Sequence, residues 1–294
     1  MKIIRSIEEM REYSQQMKRN GKTIANVSTT GYLHDGHMSL VKIAKENADL
    51  VVMTTNAMPA LLFSREWPKD YKKYFIKAED QYQQLSLEND LEVCKKYKID
   101  VFFHPGLINY YPYPLKTITI SHAINKHLLD SLDRTRSLTG SIISWVLDMD
   151  IKIWNSVLPD IIVEGQKDIH QTLFMKFFLN YFNFPIKMIV APILRDSNGV
   201  ALSSRNRFLT PSERQDATSI YKVLQEVASW KEIEPINYIK SYITYHVKSE
   251  VCSVDICCAK TLEDLIVLDR KALIVINAYF GKIILDDNII VDPK

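Results

Sequence analysis

Short apolar runs alternate with longer amphipathic stretches along the first two thirds of the chain, and this pattern predicts alternating strands and helices. The apolar runs that predict strands occupy residues 23–27, 49–54, 100–103, 160–164 and 186–190. Apolar residues at helical spacing occupy residues 38–45 and again residues 77–98. Such alternation is typical of an α/β fold, in which helices cover both faces of a parallel sheet.

The pattern changes at about residue 191. A polar block is followed by helical spacing at residues 211–230 and 235–247, and then by two or three apolar runs typical of strands. We therefore predict two domains. Residues 1–190 would form the parallel α/β domain, and residues 191–294 a smaller α+β domain that carries one wall of a functional site.

The composition is that of a soluble globular protein. Of the 294 residues, 47% are hydrophobic and 24% are charged, and the chain is long enough for two domains. The formal net charge of +2 gives no reason to expect binding to nucleic acid or to a membrane surface. No apolar run approaches the length of a membrane span, and residues 1–5 are expected to lead into a polar helix rather than to form a signal peptide.

The cysteines do not predict a metal site. Cys94, Cys252, Cys257 and Cys258 lack the spacing of zinc ligands, and the last two lie in a run typical of a strand. Buried free thiols in a reducing cytoplasm are the expected state, so the sequence predicts a cytoplasmic protein without metal-ligating residues. The aromatic run 177–182 is expected to lie on a helix that faces the core.

A histidine pair stands at the first strand-to-helix junction. Residues 29–37 read TTGYLHDGH, which places His34 and His37 on either side of Gly36. A helix N-terminus binds phosphate through its N–H groups and dipole, glycine permits close approach, and imidazoles can donate hydrogen bonds to phosphoryl oxygens. The His-x-Gly-His pattern is typical of nucleotidyl-transferring enzymes with a Rossmann-like fold. Two ordinary histidines in a polar loop are the alternative interpretation.

Three further blocks resemble one enzyme family. Residues 165–171 read GQKDIHQ, residues 195–206 read RDSNGVALSSRN, and residues 283–289 read IILDDNI. They are similar, in order and spacing, to the G-E/Q-K-D-x-Q-Q, R-x-x-D-G-L-A-x-S-S-R-N and R-L-I-D-N segments of the pantothenate synthetase (pantoate–β-alanine ligase) family. The resemblance covers nearly the whole chain, and it implies a Rossmann-like nucleotidyltransferase domain followed by a smaller lid domain.

The resemblance also implies an activity. A carboxylic acid, pantoate or a related small acid, would be adenylated by ATP with release of pyrophosphate. An amine, β-alanine or a similar one, would then attack the acyl adenylate to give an amide and AMP. Mg²⁺ is expected to accompany ATP, carried mainly by the phosphates and water. A homodimer is also implied.

Individual residues receive roles from their place in these motifs. The residues implied in catalysis are His34, His37, Lys167 and Arg205. Those implied in nucleotide binding are Gly36, Gly165, Asp168, Leu202, Ser203, Ser204 and Arg205. Lys167 would bridge the α-phosphate and the acyl oxygen. Arg205 would bind the β- and γ-phosphates of ATP through its planar guanidinium group. A solvated surface charge is the alternative for each cation, and a plain helix cap is the alternative for the two serines.

The positions implied in acid binding depart from the family pattern. They are Thr30, Met58, Leu61 and Gln171, of which only Gln171 keeps the family residue. Leu61 replaces a glutamine and Met58 an asparagine, so hydroxyl groups of pantoate would face apolar surface. One interpretation is a changed acid substrate with fewer hydroxyls or more apolar bulk. The other is a genuine pantothenate synthetase in which Thr30, Asn56 or His170 supplies the missing contacts.

Two other classes of protein remain as alternatives. One is a nucleotidyltransferase that moves AMP or CMP onto a phosphate, because such enzymes share the His-x-Gly-His pattern. The other is a non-catalytic nucleotide-binding protein. Retention of both histidines, Lys167, Arg205 and the serine pair argues against the second, because an idle site has no physical need for all of them.

Overall fold

The computed structural model describes residues 1–56, 71–110 and 140–292, which fall into two compact units. Within the described residues, the first unit comprises residues 1–56, 71–110, Ser141–Gly165 and Met175–Ala191. The second comprises Gln166–Phe174 and residues 192–292. The segment that carries Lys167 therefore groups with the C-terminal unit, although it precedes residue 190 in the chain.

The first unit is built on a six-stranded parallel sheet, so the predicted fold class is confirmed. Its strands are β1 (Lys2–Ile4), β2 (Ile24–Thr29), β3 (Leu50–Thr55), β4 (Val101–Phe103), β5 (Ile161–Gly165) and β6 (Lys187–Ala191). They lie in the order β1-β4-β3-β2-β5-β6. The sequence missed β1, a three-residue strand at the sheet edge, and had assigned those residues to the approach of a helix.

Helices follow the strands in the expected alternation. They are α1 (Ile7–Arg19), α2 (Asp35–Asn47), α3 (Tyr71–Tyr82), α4 (Glu88–Lys96), α5 (Leu107–Tyr110), α6 (Gly140–Val157) and α7 (Ile169–Tyr181). A π-helical turn, Gln83–Leu87, joins α3 to α4, where the sequence predicted one continuous helix over residues 77–98. In the aromatic run 177–182, Phe178 is buried whereas Tyr181 and Phe182 are about half exposed, so only part of that run faces the core.

The sheet is apolar because helices cover it. Val27 of β2, Met53 of β3 and Phe102 of β4 belong to one buried cluster with Met38 and Val41 of α2. Strands covered on both faces have no reason to alternate polar and apolar residues, which explains their continuous apolar runs.

Asn26 is a buried polar exception inside this sheet. Its side-chain amide donates hydrogen bonds to the carbonyl oxygen of Val52 at 3.0 Å and to the hydroxyl of Thr54 at 2.8 Å. Both partners belong to β3, and the Cα of Asn26 is paired in register with that of Val52. The amide thus links two neighbouring strands only when they are aligned in this register.

The strand order places a topological switch point between β2 and β5. From β2 the chain continues through β3 to β4 on one side of the sheet, whereas from β5 it continues to β6 on the other. In open parallel sheets, ligands bind beyond the carboxyl ends of the strands at such a point. The histidine segment follows β2 directly, and Gly165 is the last residue of β5.

The second unit packs two helices against a three-stranded antiparallel sheet. Its strands are β7 (Glu250–Cys258), β8 (Ala272–Phe280) and β9 (Ile283–Val291), and its helices are α8 (Pro211–Ser229) and α9 (Ile236–His246). Leu224, Ile239 and Ile274 are fully buried members of its core. Cys257 and Cys258 are buried free thiols on β7, as predicted. Among the described residues, no helix is both long and apolar enough to cross a membrane.

Candidate active site

The loop between β2 and α2 has an unusual backbone. Gly31 and Tyr32 both have positive φ angles, +82° and +56°, and the hydroxyl of Thr29 accepts a hydrogen bond from the N–H of Gly31 at 2.9 Å. A Cβ atom on Gly31 would lie 2.2 Å from Cε2 of Tyr82, so only glycine fits beneath that ring. This turn fixes where the chain enters α2.

A single carboxylate from α4 holds the same loop. Asp90 is fully buried, and its two oxygens accept hydrogen bonds from the N–H groups of Tyr32, at 2.9 Å, and Leu33, at 2.8 Å. The hydroxyl of Tyr82 donates a third hydrogen bond to Asp90 at 2.8 Å. Burial raises the pKa of Tyr82 far above its usual range, so this hydroxyl remains a donor. The backbone directly before His34 is therefore anchored to α4.

The two histidines begin α2 and form its N-terminal cap. Nδ1 of His34 accepts from the N–H of Gly36 at 3.1 Å, and Nδ1 of His37 accepts from the N–H of His34 at 3.3 Å. A ring nitrogen that accepts carries no proton, so each neutral imidazole has its proton on Nε2. The rings lie 4.0 Å apart between centroids. The caps thus fix two imidazole Nε2–H donors at the positive end of a helix.

A second polar group lies at the carboxyl edge of the sheet. His104 follows β4 and contacts Thr55 of β3 through Nδ1, at 2.8 Å from the carbonyl oxygen. Its Nε2 forms a hydrogen bond with the carboxylate of Glu79 of α3. Burial alone would raise the pKa of Glu79, but the hydrogen bond and charge of His104 lower it below its usual value. This pair ties α3 to the end of the sheet.

In the second unit, the predicted cations meet around one carboxylate. Nη1 of Arg205 lies 3.0 Å from Oδ2 of Asp286, and Nζ of Lys167 lies 4.0 Å from the same oxygen. Nζ of Lys167 also lies 3.4 Å from the carboxylate of Asp168. Burial raises the pKa of Asp286, against the opposing effect of the charges on Lys167 and Arg205. The structure thus brings Lys167, Asp168 and Arg205 together around Asp286.

Two residues beside Asp286 secure the surrounding backbone. The amide of Asn288 donates to the carbonyl oxygens of Gln166 and Lys167, both at 2.9 Å, and so holds the 3₁₀ turn Gln166–Asp168 against β9. Asp287 accepts two hydrogen bonds from the guanidinium of Arg195, one of them at 2.8 Å. Both motif segments of this unit are therefore fixed to one strand.

The serine loop has a capped turn of its own. Ser203 precedes the 3₁₀ turn Ser204–Phe208, and its hydroxyl accepts from the N–H of Arg205 at 3.2 Å. Leu202 donates its N–H to the carbonyl oxygen of Leu194 at 2.9 Å. Ser203 thus caps this turn, and the cap orients the backbone of Arg205.

The residues predicted to bind the acid have different surroundings. Thr30 is exposed and Gln171 is half-buried in the first turn of α7. Met58 and Leu61 lie outside the described residues. His170 is buried and 3.9 Å from a carboxylate oxygen of Asp255.

Several residues that position the site were not singled out in the sequence. Asp90 and Tyr82 lie inside a predicted helix and carry no local signal of their contact with the loop. Asp286, Asp287 and Asn288 belong to the family-like closing block, but that resemblance assigned them no role. The position of Asn288 in that block is the sequence feature from which a role for it could have been predicted.

The parallel sheet, its switch point and the histidine-capped helix after β2 define a nucleotide-binding α/β enzyme. More particularly, the chain belongs to the pantoate-beta-alanine ligase family, whose model matches residues 2–290. Members of this family are AMP-forming ligases. This membership favours a ligase over the nucleotidyltransferase and the non-catalytic protein that the sequence left open.

Known pantothenate synthetases are similar to this chain over nearly its full length. The chain is 33% identical to the pantothenate synthetase of Thermotoga petrophila, over 99% of each chain, and 34% identical to that of Thermoanaerobacter sp., over 99% and 98%. The solved pantothenate synthetase of Thermus thermophilus matches with a TM-score of 0.81 at 23% identity over 100% of both chains. The Francisella tularensis ligase, solved with an ATP compound and β-alanine, matches with a TM-score of 0.74 at 23% identity, over 99% and 97%. At that identity the structures show the shared fold.

Proposed function

We propose that this chain is an ATP-dependent ligase that joins pantoate to β-alanine through an acyl adenylate, with release of pyrophosphate and AMP. Full-length family membership gives the reaction class. The observation that carries the proposal is the pair of imidazoles at the N-terminus of α2, each with Nδ1 held by a backbone N–H. Such fixed donors suit the charge that develops on phosphoryl oxygens in adenylation.

His34 and His37 would donate hydrogen bonds from Nε2 to phosphate oxygens of ATP. Gly36 allows the phosphates to approach the helix terminus, where the dipole favours negative charge. Asp90 would act indirectly, because it holds the backbone from which the first histidine projects.

Lys167 and Arg205 would supply the cationic part of the catalysis. Lys167 would stabilise charge shared between the α-phosphate and the attacking carboxylate, and Arg205 would bind the departing pyrophosphate. Gly165 and Asp168 would contact the ribose. Leu202, Ser203 and Ser204 would place backbone and hydroxyl groups against the outer phosphates.

Mg²⁺ would enter with ATP. It would be held mainly by the phosphates and water, as Mg²⁺ commonly is in ATP-dependent enzymes. A cytoplasmic location supplies ATP and keeps the four thiols reduced, and we include it in the proposal together with the homodimer that the family resemblance implies.

Asn56 supports pantoate as the acid. It follows β3 at the carboxyl edge of the sheet, is 3% exposed, and neither atom of its amide has a hydrogen-bond partner in the described part of the chain. Leaving a buried amide unpaired costs about 1–3 kcal/mol, so a substrate hydroxyl or carboxylate that pairs with it would gain that much. Asn56 would then replace the hydrogen bonds that Met58 and Leu61 cannot make.

The test is ATP–pyrophosphate exchange by the purified protein with Mg²⁺, comparing pantoate with other small hydroxy and non-hydroxy acids. Exchange driven best by pantoate is the expected result. Replacement of His37 or Lys167 by alanine should reduce exchange by at least a hundredfold, because each removes a donor from the developing charge.

Matched controls are His246→Ala and Lys282→Ala, which remove an exposed histidine and an exposed lysine elsewhere. They should leave exchange unchanged. Exchange driven by another acid, with pantoate inactive, would replace pantoate by that acid in the proposal. Full exchange by the His37 and Lys167 variants would refute the assigned roles.

A further inference from the structure

Asp286 lies between the two cations that the proposed function assigns to ATP. Its Oδ2 is 3.0 Å from Nη1 of Arg205 and 4.0 Å from Nζ of Lys167, and its side chain is 11% exposed. Its Oδ1 is buried and has no hydrogen-bond partner within the described residues. The carboxylate therefore interacts chiefly with the charges that a nucleotide would need.

The two polar residues that follow Asp286 on β9 make contacts that hold the structure together. The position of Asp286 itself does not require a carboxylate. Asp287 forms a bidentate ion pair with Arg195. Asn288 forms hydrogen bonds with the backbone carbonyl groups of Gln166 and Lys167. Counted back from Asn288, Asp286 takes the place of the isoleucine in the family segment R-L-I-D-N. An apolar side chain therefore satisfies the same strand position in the family pattern.

Arg205 and Lys167 also form hydrogen bonds that do not involve Asp286. Nη1 of Arg205 also donates to the carbonyl oxygen of Ile284 at 3.0 Å, and its backbone N–H is bound by Ser203. The backbone of Lys167 is held by Asn288. Because these contacts hold the guanidinium of Arg205 and the backbone of Lys167, the main effect of Asp286 on an incoming anion is its negative charge.

We propose that Asp286 is a counter-ion for Lys167 and Arg205 that nucleotide phosphates must displace, and that it thereby lowers the affinity of the site for ATP and for the pyrophosphate product. A carboxylate a few ångströms from a bound phosphate repels it, most strongly where water is excluded. Weaker binding of pyrophosphate favours its departure after adenylation. The inference rests on the proposed function, since ATP is the anion concerned.

The test is the dissociation constant of α,β-methylene ATP with Mg²⁺, measured by isothermal titration calorimetry on the full chain. Asp286→Asn removes the charge but keeps an oxygen for Arg205, and it should lower the dissociation constant roughly tenfold, as expected for one like charge at this range in a partly buried site. Asp292→Asn is the matched control. It removes a carboxylate of the same unit that pairs with exposed Lys271, and it should have no effect.

A series of ligands separates charge from a structural effect. The gain in affinity for Asp286→Asn should be large for the triphosphate analogue, smaller for AMP and absent for adenosine. An equal gain for all three ligands, no gain, or weaker binding of the triphosphate would overturn the inference. If Asp286→Asn does not fold, Asp286→Ile provides the same comparison with the residue of the family segment.

The two proposals fail in different ways. A wild-type protein that binds none of these ligands overturns the proposed function, and the inference with it. A wild-type protein that binds α,β-methylene ATP, but does not bind it more tightly without the carboxylate at position 286, overturns the inference alone.

Discussion

At the scale of single residues, Asp90 shows how one side chain can position a loop. It lies on a helix, yet it accepts hydrogen bonds from two consecutive peptide N–H groups of the loop that carries His34. The histidines could be predicted from the sequence, because they occupy the first and fourth positions of the His-x-Gly-His motif. Asp90 could not, because its contacts depend on how α4 packs in the folded chain.

Asp90→Asn should weaken both the fold and the activity. An amide cannot accept on both of its atoms, so at least one buried N–H loses its partner at a cost of about 1–3 kcal/mol. The free energy of unfolding in urea should fall by that amount. Pyrophosphate exchange by the folded variant should fall by more than tenfold, because the loop before His34 is released.

Tyr82→Phe provides the comparison, since it removes one hydrogen bond to Asp90 and leaves both loop N–H groups paired. Its exchange activity should stay closer to that of the wild type. If Asp90→Asn lost stability but kept full exchange, the carboxylate would have only a structural role.

At the scale of elements, the π-helical turn Gln83–Leu87 sets the spacing between Tyr82 and Asp90. Two turns of an α-helix take about 7.2 residues, so residues seven apart share a face. Tyr82 and Asp90 are eight apart and still form a hydrogen bond, because the π turn takes up one extra residue. Helical periodicity predicted a helix here but could not show this local change of pitch.

Deletion of Leu85 should therefore be tolerated. This residue lies in the π turn and is 65% exposed, and its removal would leave Tyr82 and Asp90 seven apart on a regular α-helix. We expect the free energy of unfolding to change by less than about 1 kcal/mol, as for exposed sites in general.

Deletion of Asp80 is the matched control. It is an exposed residue within α3, and its loss would rotate the preceding part of the helix by about 100° relative to Tyr82, moving Glu79 away from His104. Thermal unfolding should show a large loss of stability for this deletion alone. Equal losses for the two deletions would contradict the proposed role of the π turn.

At the scale of the whole molecule, the order of strands and helices could be predicted well from the sequence. Largely apolar runs marked five of the six parallel strands, because strands covered on both faces, such as β3, are buried along most of their length. The sixth, β1, has only two apolar residues, which is too short a pattern to identify a strand. The grouping of residues 166–174 with the C-terminal unit follows from contacts with β9, which no local pattern encodes.

Nucleotide binding should stabilise the folded chain. At a concentration of about one hundred times its dissociation constant, α,β-methylene ATP with Mg²⁺ should add about 2.7 kcal/mol and raise the apparent midpoint of thermal unfolding by several degrees. The variants His37→Ala and Arg205→Ala should lose most of this shift, whereas His246→Ala should keep it. A shift that survives in the first two variants would mean that the ligand binds elsewhere.

The amide of Asn26 also bears on how the chain finds this structure. If β2 slipped by one residue against β3, its side chains would exchange faces, and the amide would be buried without its two acceptors. The cost of about 1–3 kcal/mol would fall on the misaligned state alone. The same slip would carry the histidine loop about 3.3 Å along the sheet, beyond the reach of Asp90. Asn26 is therefore expected to disfavour misaligned sheets, in which the loop that carries His34 could not reach Asp90.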